Sequence, residues 1–432
     1  MSRSERPGTL QLDERVYRTD LPDGLVVLSE DVPGVRSVAA GIWVRWGASH
    51  DPAEVMGISH LIEHMVFKGT EKRSARQIAL EIEGIGGTLD AYTTREHTAY
   101  YARVLEEHLP IALDVLADLV SAPLFRDQDL AVEKQVVLEE IAGVEDTPED
   151  LVFELHARAL WGDHAYGNPV LGTAETVKAI GCADLQRFWQ AAYRPSGLVI
   201  AVAGKVRHEE LLDLVMRALP KDSGSDAAPE VPEPTAESPG EVGYSRESAQ
   251  AHICLGSPIF AHNDKRRYAA NLLSMSLGGG MSSRLFQRVR EELGLAYAVY
   301  TFQSFYSSAG VSGVYVATRP ETAALARDEV LNELASIATA GLTDTELAAV
   351  KNQAKGQIML SLESTSSRLH RLAAMPIYDE PFRTLDELSS LIDAVSVEEV
   401  AELSRTYYAP ERQTIVRLGP DAEKGLAAAT LQ

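Results

Sequence analysis

Only two cysteines, Cys182 and Cys254, occur in the 432 residues. That scarcity excludes a disulfide framework and a cysteine-held zinc site, and both read as buried free thiols. No apolar run reaches the length that crosses a bilayer, which excludes a membrane-spanning class. Met1 to Pro7 carries charge with no apolar stretch after it, so no secretory signal is expected and the protein is placed in the cytoplasm. Positive charge is also short. With 40 Lys and Arg against 63 Asp and Glu, the formal net charge is −23. Nucleic acid and anionic membrane both demand a positive surface and are excluded as main partners. Basic or neutral polypeptides fit better.

What is present is the balance of a soluble globular protein, 45% hydrophobic and 24% charged. A chain this long exceeds one ordinary core, so two domains or one large one are expected. The stretch from Lys221 to Gly240, rich in Pro, Ser, Glu and Ala, reads as an exposed linker. It separates residues 10–220 from residues 241–432.

The two segments carry similar patterns in similar order. In the first, Tyr17 to Glu30 alternates around Pro22-Asp23-Gly24 as a hairpin, and Val38 to Trp46 is an apolar strand. A helix begins near Val55, Ser74 caps another, and Thr88 to Thr93 pairs with Thr98 to Val104. Helical patterns follow at Leu109 to Val120 and Asp127 to Glu145. In the second segment, strands at Leu295 to Phe302 and Val311 to Thr318 precede helices at Glu321 to Ala340 and Asp344 to Ser361. Phe125 to Ala131 lies over Leu342 to Ala348 without a gap, which points to an internal duplication. The expected fold is α+β: two homologous domains, each a mainly antiparallel sheet with helices packed on one face.

The chemistry concentrates in His60-Leu61-Ile62-Glu63-His64. Two histidines at i and i+4 share a helical face, and that is how a helix offers two ligands to one zinc ion. Glu63 stands near the same face, where its carboxylate can take a proton from a water held by the metal. The order His-x-x-Glu-His is that of the inverted zincins. A third ligand must come from another element. Glu133 and Glu140, two helical turns apart on one stripe, offer it. The second half contains no such motif, and the overlay sets Gln357 opposite Glu140.

These residues resemble the pitrilysin family of zinc peptidases, in particular the short branch that includes the mitochondrial processing peptidase and its bacterial relatives. The likeness extends from about Tyr17 to Arg417. That branch pairs the motif with a glutamate on a later helix, and 75 residues here separate His64 from Glu140. The resemblance therefore implies His60, His64 and Glu140 as zinc ligands, with Glu133 supporting the site from behind. It implies that Asp90, Ala91 and Tyr92, within Gly86 to Thr93, bind substrate as an added β-strand. It also implies that Arg290 and Tyr297, after the glycine run Gly278 to Gly280, support substrate and oxyanion. Asp90 stands where the family often has Asn. Tyr166 to Thr173 and Tyr193-Arg194-Pro195 are similar to further family segments and read as turn and packing residues.

Together these features indicate a zinc metalloendopeptidase that acts on peptides or unfolded polypeptide segments. The resemblance adds a closed chamber of four such domains, hence a homodimer or a heterodimer with a related chain. The alternative is a noncatalytic structural or peptide-binding subunit of a larger complex.

Overall fold

The computed structural model describes residues 8–219 and 231–423. Met1 to Pro7 and residues 221–230 of the expected linker lie outside the described residues, and residues 231–240 form neither helix nor strand. Two compact units emerge. Among the described residues the first comprises 8–141, 169–219, 231 and 360–382, and the second 142–168, 232–359 and 383–423. The units differ from a simple split at the linker in two segments, 142–168 and 360–382, which join the unit built mainly from the other half.

The first unit contains a seven-stranded sheet of β1 (Thr9–Asp13), β2 (Val16–Asp20), β3 (Val26–Asp31), β4 (Ser37–Val44), β5 (Thr88–Thr93), β6 (Thr98–Leu105) and β7 (Leu198–Gly204). Their order is β1-β2-β3-β7-β4-β6-β5, with β5 at an edge. Every pair is antiparallel except β3 with β7. Period-two alternation explains the apolar run of β4: Val38, Ala40, Ile42 and Val44 enter one core, Ala39 and Trp43 another. The larger core receives helices Ile58–Val66, Leu109–Ser121, Cys182–Ala192 and His208–Ala218. The opposite face is also covered in part. Helix Thr365–Ile377 lays Leu369, Leu372, Ala373 and Met375 on it, a second layer that the one-faced expectation did not contain.

The second unit contains β8 (Glu241–Ser245), β9 (Ala251–Ile259), β10 (Ala296–Phe305), β11 (Gly310–Thr318) and β12 (Thr414–Gly419), ordered β10-β11-β9-β12-β8. Only β12 with β8 is parallel. Helices Arg267–Gly278, Ala323–Ala340, Asp344–Ser361 and Val397–Leu403 build the core on one face. Helix Pro148–Trp161 covers the other, where Val152 meets Cys254, Tyr315, Val416 and Leu418. Cys254 is buried and Cys182 half-buried, and both are free.

The order β5-β6-β4-β7-β3 repeats as β10-β11-β9-β12-β8 with the same pair directions. The offset that aligns Asp127 with Asp344 also aligns Pro148 with Thr365. Each copy thus sends the equivalent helix to the sheet built mainly from the other half of the chain. Among the described residues no helix is long and apolar enough to cross a membrane.

Candidate metal centre

The motif helix, Ile58–Val66, divides cleanly by its own periodicity. Ile58, Leu61, Ile62, Met65 and Val66 enter the core of the first unit, each contributing about 1.5–3 kcal/mol by burial. His60, Glu63 and His64 then fall on the opposite stripe. The helix start is also fixed. Gly57 has φ of 90°, and a Cβ there would lie 2.4 Å from the Leu171 carbonyl oxygen; at Gly172, with φ of 74°, it would lie 2.3 Å from that of Met56. The two glycines let these backbones touch, which accounts for the Tyr166 to Thr173 segment as packing. Asp51 caps the helix from outside it: its carboxylate accepts from the Gly57 N–H at 2.8 Å, the Ser59 N–H at 3.3 Å and the Ser59 hydroxyl at 2.5 Å.

Helix Asp127–Asp146 brings the carboxylates. Glu140 Oε2 lies 3.6 Å from His60 Nε2 and 3.6 Å from His64 Nε2. The three donor atoms lie within 4.8 Å of one another. A separation of 3.6 Å is too long for a hydrogen bond. It is close to the edge of roughly 3.4 Å expected between two ligands each about 2.1 Å from a tetrahedral zinc. Burial, with help from His64, lowers His60 to about 3, so its imidazole is neutral, the form that binds metal. The arrangement fits a cation held by two imidazoles and one carboxylate. Among the described residues no other cluster of this kind converges as closely.

Glu133 is not part of that set. Its carboxylate, 3% exposed, accepts from His64 Nδ1 at 3.2 Å and pairs with Lys68 Nζ at 2.7 Å. The hydrogen bond places the His64 proton on Nδ1 and leaves the Nε2 lone pair to face Glu140 and a cation. Glu63 is held separately: its Oε2 accepts from the Thr93 hydroxyl at 2.5 Å. Burial raises the Glu63 carboxyl, opposed by Thr93 and His64. A carboxylate whose affinity for protons is raised is a better base.

The expected substrate segment occupies β5, whose outer edge has no strand partner among the described residues. Asp90 and Tyr92 turn to the face of Tyr101 and Trp43. Asp90 accepts from the Tyr101 hydroxyl at 3.0 Å, and the Tyr92 hydroxyl accepts from Trp43 Nε1 at 3.4 Å. Ala91 packs toward the larger core on the motif side. Arg290 and Tyr297 belong to the second unit and meet each other there. The guanidinium lies 4.6 Å from the phenol ring centroid and donates to the Tyr297 carbonyl at 2.7 Å. Tyr297 is 76% exposed. Arg290 sits in a π-helical turn, Phe286–Glu292. Tyr193 packs beneath the site, its hydroxyl 2.7 Å from that of Tyr100.

Three contributors escape sequence reasoning. Lys68 continues the stripe one turn beyond His64, a signal that periodicity does offer. Thr93 is found only through strand alternation plus pairing, and Asp51 through no spacing rule at all.

The donor set leads to a direct test. His64→Ala and Glu140→Gln are expected to lose bound zinc, measured by metal analysis after dialysis, whereas Glu133→Gln retains it with affinity weaker by roughly 10–100-fold. Full zinc stoichiometry in both of the first two variants would place the metal elsewhere.

Residues 26–174 match the family Insulinase (Peptidase family M16), and residues 180–354 match Peptidase M16 inactive domain. The chain is 38% identical over 416 residues to a protein of Streptomyces coelicolor named an uncharacterized zinc protease, covering 95% of this chain and 90% of that one. It is 39% identical over 394 residues to the uncharacterized zinc protease YmxG of Bacillus subtilis, covering 91% and 96%. Among solved structures, a peptidase M16 inactive domain from Pseudomonas fluorescens superposes with a TM-score of 0.87 at 24% identity, covering 96% of this chain and 100% of that one. A protease from Helicobacter pylori does so with a TM-score of 0.87 at 20% identity, covering 94% and 99%. With its two sheet-and-helix units and relatives matched over almost their whole length, the chain belongs to peptidase family M16.

Proposed function

We propose that the protein is a zinc metalloendopeptidase that cleaves peptides or unfolded polypeptide segments, with His60, His64 and Glu140 as the ligands. The observation that carries this reading is the convergence of those three donors beside a separately held Glu63. When bound, the ion supplies Lewis-acid polarisation of the scissile carbonyl and makes water more acidic. Glu63 acts as general base: Oε2 is engaged by Thr93, which leaves Oε1 to take the proton from the attacking water and pass it to the leaving amine. Glu133 holds His64 in the ligating tautomer.

Substrate adds to the free edge of β5 by backbone pairing. Since Asp90 and Tyr92 are tied down on the other face, that strand recognises main chain rather than side chains. Such pairing supports broad tolerance for polypeptide sequence. A noncatalytic subunit would have no use for a complete donor set with a base beside it, and that reading is not favoured. The cytoplasm is the proposed location.

The base assignment is tested by Glu63→Gln. Zinc content and fold are expected to persist while hydrolysis of an unstructured peptide falls by about a hundredfold or more. Turnover close to wild type in the purified variant would remove Glu63 from the mechanism.

We assign the exposed Arg290–Tyr297 pair of the second unit to the centre of a second chain in a dimeric chamber. A phenol and a guanidinium are suited to a developing oxyanion. Mixing Glu63→Gln with Tyr297→Phe chains under subunit exchange should then restore about half of wild-type activity per mixed dimer, because one centre is whole. No recovery despite demonstrated exchange, or an active monomer, would confine the pair to its own chain.

A further inference from the structure

Thr93 occupies a position that the mechanism so far uses only passively. It is the last residue of β5, the strand whose outer edge has no strand partner among the described residues, and it pairs with Thr98 of β6. Strand alternation turns its side chain toward the motif helix while its neighbour Tyr92 turns away. The Thr98 hydroxyl donates to the Trp46 carbonyl at 3.2 Å, so the Thr93 hydroxyl, 3.3 Å from it, keeps its own proton for Glu63. Because threonine is stiff at χ1, the place of that hydroxyl is set by the backbone of β5. The base is therefore oriented by the strand to which a substrate would add.

We propose that Thr93 is a positioning residue through which occupancy of the β5 edge orients the Glu63 carboxylate, so that a substrate able to pair along the strand activates its own hydrolysis. This rests on the peptidase reading above. An edge strand is ordered by one neighbour only, and an added peptide supplies the second set of backbone hydrogen bonds. Ordering the end of β5 fixes the Thr93 hydroxyl and, through it, one oxygen of the base. Catalytic geometry is sensitive to such placement: a displacement of about 1 Å can lower rate roughly a hundredfold. The gain from a longer substrate then appears in kcat rather than in KM alone, as expected when remote binding improves alignment at the reacting centre.

The test uses the full zinc-loaded chain with Thr93→Val, which keeps shape and loses the donor, and Thr93→Ser, which keeps the donor. Each is assayed on a peptide long enough to cover Thr88 to Thr93 and on one truncated to the scissile bond and its immediate neighbours. In the wild type, truncation is expected to lower kcat about tenfold or more. Thr93→Val should retain zinc, lose about ten- to a hundredfold in kcat on the long peptide with KM within about twofold, and respond little to truncation. Thr93→Ser should keep most of the wild-type length response. A readout that needs no turnover is amide hydrogen exchange with the long peptide carrying a reduced, uncleavable bond. It should slow exchange in β5 and in helix Ile58–Val66 of the wild type, but in β5 alone of Thr93→Val. Equal slowing of the helix in both proteins, or an unchanged length response of kcat in Thr93→Val, overturns the coupling and leaves the peptidase reading intact. Loss of zinc or of folded structure in Thr93→Val, with Thr93→Ser equally impaired, overturns it in favour of simple packing. A peptide that protects neither segment of the wild type removes strand pairing itself, and the coupling with it.

Discussion

The site depends on one constraint, the two-sided character of a nine-residue helix. Residues 58, 61, 62, 65 and 66 are buried against the sheet of the first unit, and this fixes the rotation of Ile58–Val66 about its axis. Once that rotation is set, His60, Glu63 and His64 have only one direction in which to point. A short helix is marginal by itself and draws its stability from tertiary burial. Here the same burial supplies aim. The contact of Gly57 with Gly172 and the Asp51 cap fix the remaining freedom, the position of the helix along its own axis.

The converging polar groups are unfavourable without a partner. Two imidazoles and a carboxylate approach one another without hydrogen bonds, and burial holds His60 neutral. Burying the His60 imidazole in such an arrangement is costly unless a partner compensates it. The second copy of the fold shows the complementary solution. At the position equivalent to Glu133 it has Val350, packed into its core, and at the position equivalent to Glu140 it has Gln357. Where no histidine needs orienting, a buried carboxylate is replaced by an apolar side chain. Strand order and pair directions persist because they rest on alternation and packing, which do not need the metal.

Much of this was legible in the sequence because it follows from local periodicity. The alternation around Pro22 to Gly24 marks β2 and β3, the Ser74 cap marks the start of Ala75–Glu83, and the periodicity of Asp344–Ser361 matches the helix at both ends. The spacing of His60 and His64, and of Glu133 and Glu140, is likewise a statement about one helix at a time. What was not legible is relational. Nothing local states that Pro148–Trp161 and Thr365–Ile377 each cover the sheet built mainly from the other half of the chain. The Thr93–Glu63 bond joins a strand to a helix 30 positions away, and the Lys68–Glu133 pair joins the turn after the motif helix to a later helix. Those contacts exist only after the sheet has assembled. Periodicity leaves Glu133 and Glu140 equivalent, and the resemblance to known peptidases separates them.

The proposed function stands on two imidazoles and one carboxylate from this chain holding a single zinc ion. Zinc quantification together with K-edge X-ray absorption of the purified wild-type chain addresses it most directly. One zinc per chain is expected, with only nitrogen and oxygen neighbours at about 2.0–2.2 Å and the scattering signature of two imidazoles. A chain that retains no zinc, or a shell containing sulfur at about 2.3 Å or a third imidazole, would contradict it.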